Sequence, residues 1–121
     1  VASVLTFDPD VLLLDEPLGA VDDRYRERIL ELMTAHEGTV VLFTPSPDLV
    51  PEVADRVILV GQNGSVVADG PVREILTDGS LLRDHGLRPP TTVQLFDGIL
   101  DADEVPLTVS EARKYLSREM R

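Results

Sequence analysis

The stretch "VLLLDEPLGAVDD", residues 11–23, decides how the rest of the chain is read. Val11–Leu14 is an unbroken apolar run with the turn Asp8-Pro9-Asp10 before it and Pro17 after it. Such a run fits a strand buried on both faces of a parallel sheet. It ends in two adjacent carboxylates, Asp15 and Glu16. Successive strand side chains point to opposite faces, so a strand holding both would bury a charge. The carboxyl end of a parallel strand removes that difficulty, because open α/β sheets bind their ligands along that edge. An Asp there can hold a magnesium ion through waters, and the Glu after it can orient a water for attack on a phosphoryl group. Taken alone, the same pattern also serves plain strand capping.

Outward from this stretch, the pattern continues as strand, helix, strand. Asp22 is suited to cap a helix through RYRERILELMTAHE, with Tyr25, Ile29, Leu32 and Met33 at helical spacing and Gly38 ending it. TVVLFT, residues 39–44, reads as a second buried strand, which implies a right-handed parallel crossover. Upstream, residues 1–7 read as the tail of a helix, with no capping residue before them. Downstream, PSPDLVPEVAD predicts a short helix beginning near Pro51. RVILV and SVVADG flank Gly61-Gln62-Asn63-Gly64 as a hairpin. Short helices are expected over 72–77 and 80–85, then a linker over 87–90. Over 91–100, the spacing puts Val93, Phe96, Ile99 and Leu100 on one side. Thr108-Val109-Ser110-Glu111 is a capping-box pattern that opens a last helix.

Composition sets outer bounds. The chain has 121 residues, room for one modest domain or a piece of a larger one. No apolar run is long enough to span a bilayer, and no segment has the layout of a signal peptide. With no cysteine, disulfides and thiolate metal sites are excluded. A net charge of −11 argues against a general nucleic-acid surface. Ten arginines stand against a single lysine, Lys114. That balance suits either a salt-rich cytoplasm or an arginine-rich coding bias, and it carries no information about activity.

"LLLDEP", the Gly-Ala turn and Asp22 together resemble the Walker B motif and D-loop of ABC-type ATPases. The resemblance continues in order. TVVLFT is similar to the strand before that family's switch histidine. "ADRVILV", the Gly-Asn-Gly hairpin and "VVADGPVREIL" are similar to the segments that close the nucleotide-binding domain. From "HGLRPP" to "PLTVSEARKYL" the chain resembles the C-terminal extension of energy-coupling-factor and cobalt-type importer ATPases. The implied fold is α/β: a partial P-loop NTPase-like parallel sheet with flanking helices, a β-hairpin and a helical C-terminal extension. Residues 1–86 would be the C-terminal half of the ATPase domain and residues 87–121 the extension.

By matching position, the resemblance implies that Asp15 is the magnesium-associated aspartate and Glu16 the general base. Asp22 would be the D-loop aspartate, which reaches across the interface between two ATPase domains, and this is compatible with its capping role. Leu18 and Asp23 replace the family's usual Thr and Pro. A complete domain of this kind uses ATP and Mg2+. Its implied partners are a second ABC ATPase domain and transmembrane transporter subunits, at the inner, cytoplasmic face of the membrane.

Two departures bear on activity. No G-x-x-x-x-G-K-[ST] loop occurs in these residues, nor the Q-loop glutamine or the LSGGQ-type signature. In the family all three precede Walker B, so the chain is expected to begin just after the signature. Lys114, the single lysine, falls in the expected C-terminal helix with no glycines near it. The second departure is Pro45, which stands where the family places its switch histidine and which offers neither a side-chain donor nor an N–H. His36 and His85 read as solvated or capping residues. The leading expectation is the C-terminal part of an ABC ATPase subunit of a metal-ion or vitamin importer, unable to hydrolyse ATP by itself. The alternatives are a non-catalytic half-domain that pairs with an intact ATPase subunit, and a truncated gene product.

Overall fold

The computed structural model describes residues 8–18 and 22–120. The expected helix tail over residues 1–7, and Gly19-Ala20, lie outside the described residues. The architecture is mixed α/β, and the chain divides between Pro45 and Ser46 into two compact units.

In the first unit, strand β1 (Val11–Asp15) pairs in parallel with β2 (Thr39–Phe43), in register from Val11↔Thr39 to Asp15↔Phe43. Helix α1 (Asp23–Ala35) connects them. It starts where the sequence predicts: the Asp22 carboxylate accepts from the Tyr25 N–H at 3.1 Å. Its end differs from expectation. His36 is the C-cap, in an extended conformation, and Gly38 has another task. The Thr39 N–H donates to the Asp10 carbonyl at 2.8 Å, and a Cβ on Gly38 would collide with that same carbonyl. Only glycine lets the two chain segments approach this closely as β2 begins.

Burial in β1 is one-sided. Leu12 and Leu14 are buried, whereas Val11 is 54% and Leu13 65% exposed. Expected burial on both faces is therefore corrected. A single strand–helix–strand crossover lays its helix against one face, and a two-stranded sheet has nothing else among the described residues of this unit to cover the other. On α1, Met33 is buried, but Tyr25 and Leu32 are exposed despite their helical spacing.

The second unit, residues 46–121, is built on the expected hairpin. Strand β3 (Arg56–Val60) runs antiparallel to β4 (Val66–Pro71), with a bulge where Leu59↔Ala68 gives way to Val60↔Val66. Gly64 turns the chain with φ 81°, and the Asn63 side chain accepts from the Ser65 N–H. Short helices α2 (Val50–Val53), α3 (Val72–Leu76), α4 (Gly79–Asp84) and α5 (Thr91–Phe96) precede α6 (Val109–Glu119).

Two apolar clusters hold this unit together. Leu59, Ile75, Leu76 and Leu82 form one. Val93, Phe96, Val105, Leu107 and Ala112 form the other, and Val72 packs against both. Phe96 meets Tyr115 edge-on, ring centroids 5.6 Å apart. Ile99, expected to align with Val93 and Phe96, is 71% exposed. The reason is that α5 stops at Phe96 and Gly98, at φ 73°, redirects the chain. Thr108 caps α6 as predicted, accepting from the Glu111 N–H. Glu111 reaches back one residue further than a standard capping box, to the Leu107 N–H at 2.8 Å. No described helix is long and apolar enough to cross a membrane.

Candidate functional site

Parallel register fixes which residues share an edge. Asp15 ends β1 opposite Phe43, which ends β2. Glu16 follows Asp15, and its N–H donates to the Phe43 carbonyl at 2.8 Å, extending the ladder by one bond. Thr44 and Pro45 continue from β2 at this same carboxyl end. Thus the carboxyl end of the strand pair carries Asp15, Glu16 and, two residues beyond β2, Pro45, while Asp22 caps α1.

Glu16 carries the least ordinary backbone at this edge. Its φ is 43°, the left-handed region that a side chain with a Cβ enters only at a cost. The turn follows from the sequence: the strand must stop before Pro17, and the last ladder bond holds the Glu16 N–H against β2 while the chain swings away. Both Asp15 and Glu16 are exposed, and among the described residues neither carboxylate accepts a hydrogen bond or forms an ion pair. Asp22 is different, since its carboxylate is committed to the α1 cap.

Hard oxygen donors left open at a strand end fit the outer sphere of a magnesium ion, which keeps several waters and takes one or two carboxylates. No group of three or more metal-ligating side chains gathers among the described residues. The donor set therefore fits the magnesium side of a nucleotide site. It does not fit the phosphate side, because no glycine-rich loop occurs in these 121 residues.

Pro45, expected at the switch position, is exposed and offers no donor. Of the two histidines, His36 is the C-cap of α1, and His85 is the C-cap of α4 in the second unit. Lys114 lies within α6, in the second unit.

Comparison with known proteins adds the family. Energy-coupling factor transporter ATP-binding protein EcfA of Carboxydothermus hydrogenoformans is 36% identical over 121 residues, which cover 98% of this chain and 44% of that protein. The chain belongs with the ABC transporter ATP-binding proteins. A Clostridium acetobutylicum protein assigned by name to the same group is 35% identical over 95% of this chain and 44% of its own length. One from Methanopyrus kandleri, similarly assigned, is 36% identical over 95% and 44%. The chain thus spans less than half the length of these curated relatives. No family model matches it.

Sequence reasoning missed two long-range contacts in the second unit. The Arg73 guanidinium donates to the carbonyls of Ala102 and Val105, at 3.0 and 2.7 Å, pinning the acidic loop. Asp48 binds Thr91 through both carboxylate oxygens. Neither pair leaves a local pattern, because its partners are 29 to 43 residues apart.

Proposed function

We propose that this chain is the C-terminal part of an ABC transporter ATP-binding subunit, in which Asp15 stands on the magnesium side of the nucleotide and Glu16 orients the attacking water. The single observation that carries this reading is the pair of open carboxylates at the carboxyl edge of a parallel strand pair, the second on a strained backbone. In a complete domain, Asp15 would hold a magnesium ion through its waters and balance its charge, and the ATP bound there would supply the phosphoryl group. Glu16 then holds a water and accepts its proton. Asp22 keeps the cap of α1 in place and lies where the family's D-loop meets a second ATPase domain. Residues 1–86 are assigned to the ATPase domain and residues 87–121 to a C-terminal extension.

The relatives support coupling to a transporter. The finer reading is import of a metal ion or vitamin, with transmembrane subunits and a second ATPase domain as partners, at the inner face of the membrane. Residues 1–121 alone offer no phosphate cradle, so Glu16 works only where another segment or chain supplies one. Pro45 favours a second reading, a non-catalytic half that pairs with an intact ATPase subunit, because such a partner needs no switch histidine.

The test is Glu16→Gln in the full-length native polypeptide assembled with its transporter. The expected result is loss of ATPase activity by roughly 10²–10⁴ with nucleotide binding retained. An unchanged rate removes Glu16 from the base role and leaves the non-catalytic reading.

A further inference from the structure

We propose that Asp48 is a positioning residue that ties the segment just after Pro45 to the first turn of α5, so that residues 87–121 restrain the switch-position segment. The functional side of this rests on reading Pro45 as the switch position; the tether itself rests on geometry alone.

The Thr91 N–H donates to Asp48 Oδ1 at 2.7 Å, and the Thr91 hydroxyl donates to Asp48 Oδ2 at 3.1 Å. Both oxygens of one carboxylate are therefore spent on one residue. Helix α5 needs this. Its N-cap residue is Pro90, which has no side-chain acceptor, so the first N–H of the helix would otherwise lack a protein partner. Asp48 does the work of an N-cap residue from 43 positions away.

Neither end of the tether is slack. Pro45 and Pro47 stiffen the chain on one side, and Leu49, beside Asp48, is only 3% exposed. On the other side, Pro90 is fully buried, and the Gln94 side chain holds the Pro89 carbonyl at 2.7 Å. From Thr91 the path runs into the core, since Val93 and Phe96 pack with Val105, Leu107 and Ala112. Moving Pro47 and Asp48 therefore means either breaking two charge-assisted hydrogen bonds or moving α5 within a packed cluster. A cap alone would matter only to α5. A tether must be felt at both ends.

That difference gives the test: amide hydrogen exchange on the full-length native polypeptide, comparing Thr91→Val, Thr91→Ser and Asp48→Ala. Thr91→Val keeps the shape but removes the hydroxyl. It is expected to speed exchange about three- to tenfold in α5 and also at Ser46, Asp48 and Leu49, with β3 and β4 unchanged. Thr91→Ser should restore protection at both ends, and Asp48→Ala should reproduce the loss. Faster exchange confined to 91–96 would reduce Asp48 to a helix cap and overturn the proposal, as would no change at either end. ATPase rates from the same variants separate the two readings: Asp48→Ala should shift kcat, whereas a Glu16→Gln variant at full rate would sink the active-site reading and leave the exchange result to decide the tether.

Discussion

At the scale of single residues, the informative position is Glu16. A left-handed φ of 43° at a glutamate is held by a ladder bond on one side and a proline on the other, and its carboxylate is exposed. Strain of this kind costs on the order of 1–3 kcal/mol, and glycine would relieve most of it. Glu16→Gly should therefore raise the stability of the protein by about 1 kcal/mol while abolishing whatever Glu16 does with water. Denaturant unfolding reads the first effect and ATPase assay of the assembled complex the second. A destabilised Glu16→Gly protein would mean that the glutamate side chain is structural. The position of Asp15 and Glu16 at the end of a strand was legible in the sequence, from an apolar run that stops before Pro17, although the pattern alone serves plain strand capping equally well. The backbone twist was not, since it depends on which β2 carbonyl the Glu16 N–H finds.

Among elements, the hairpin shows how local chemistry and long-range contact divide the work. Gly61-Gln62-Asn63-Gly64 announced the turn, and the β-branched, apolar runs RVILV and SVVADG on either side announced the strands. The cross-strand ion pair had no such signal: the Arg56 guanidinium binds both oxygens of Asp69, at 2.7 and 2.6 Å, diagonally across the register. The hydrogen bonds from Arg56 hold the Asp69 carboxyl below its usual value. A group whose folded pKa is depressed adds stability above its unfolded pKa and loses it as pH falls through the folded one. Asp69→Asn should remove that part of the acid-side loss, seen as a flatter Tm against pH below the ordinary carboxylate range, and should weaken the salt dependence at neutral pH. Because the pair is well exposed, the effect is expected to be small. Identical acid limbs in the two proteins would show that the pair contributes nothing. The same division explains α5. Its apolar spacing predicted Val93 and Phe96 correctly, but its length was set by Gly98 and its start by Asp48, one a local signal outweighed by periodicity and the other a contact invisible in any window.

For the whole molecule, the unresolved balance is in β1 and β2. Val11, Leu13 and Phe43 are more than half exposed on strands whose composition suits burial on both faces. Parallel strands of this composition are ordinarily covered twice, and the curated relatives are more than twice as long as this chain. Coverage of the open face by another part of a longer polypeptide is therefore the expected arrangement, and a charge placed on it reports the difference. Leu13→Asp in residues 1–121 alone should change stability little and should reduce self-association, because that side chain already meets water. In the full-length native polypeptide the same substitution should cost about 2–4 kcal/mol, since it would strand a carboxylate against an apolar layer. Unfolding midpoints measured in both contexts decide the matter. Equal, small effects would mean that the face stays open in the longer protein, and β1 would then be an edge feature available to a separate chain, as the non-catalytic reading requires.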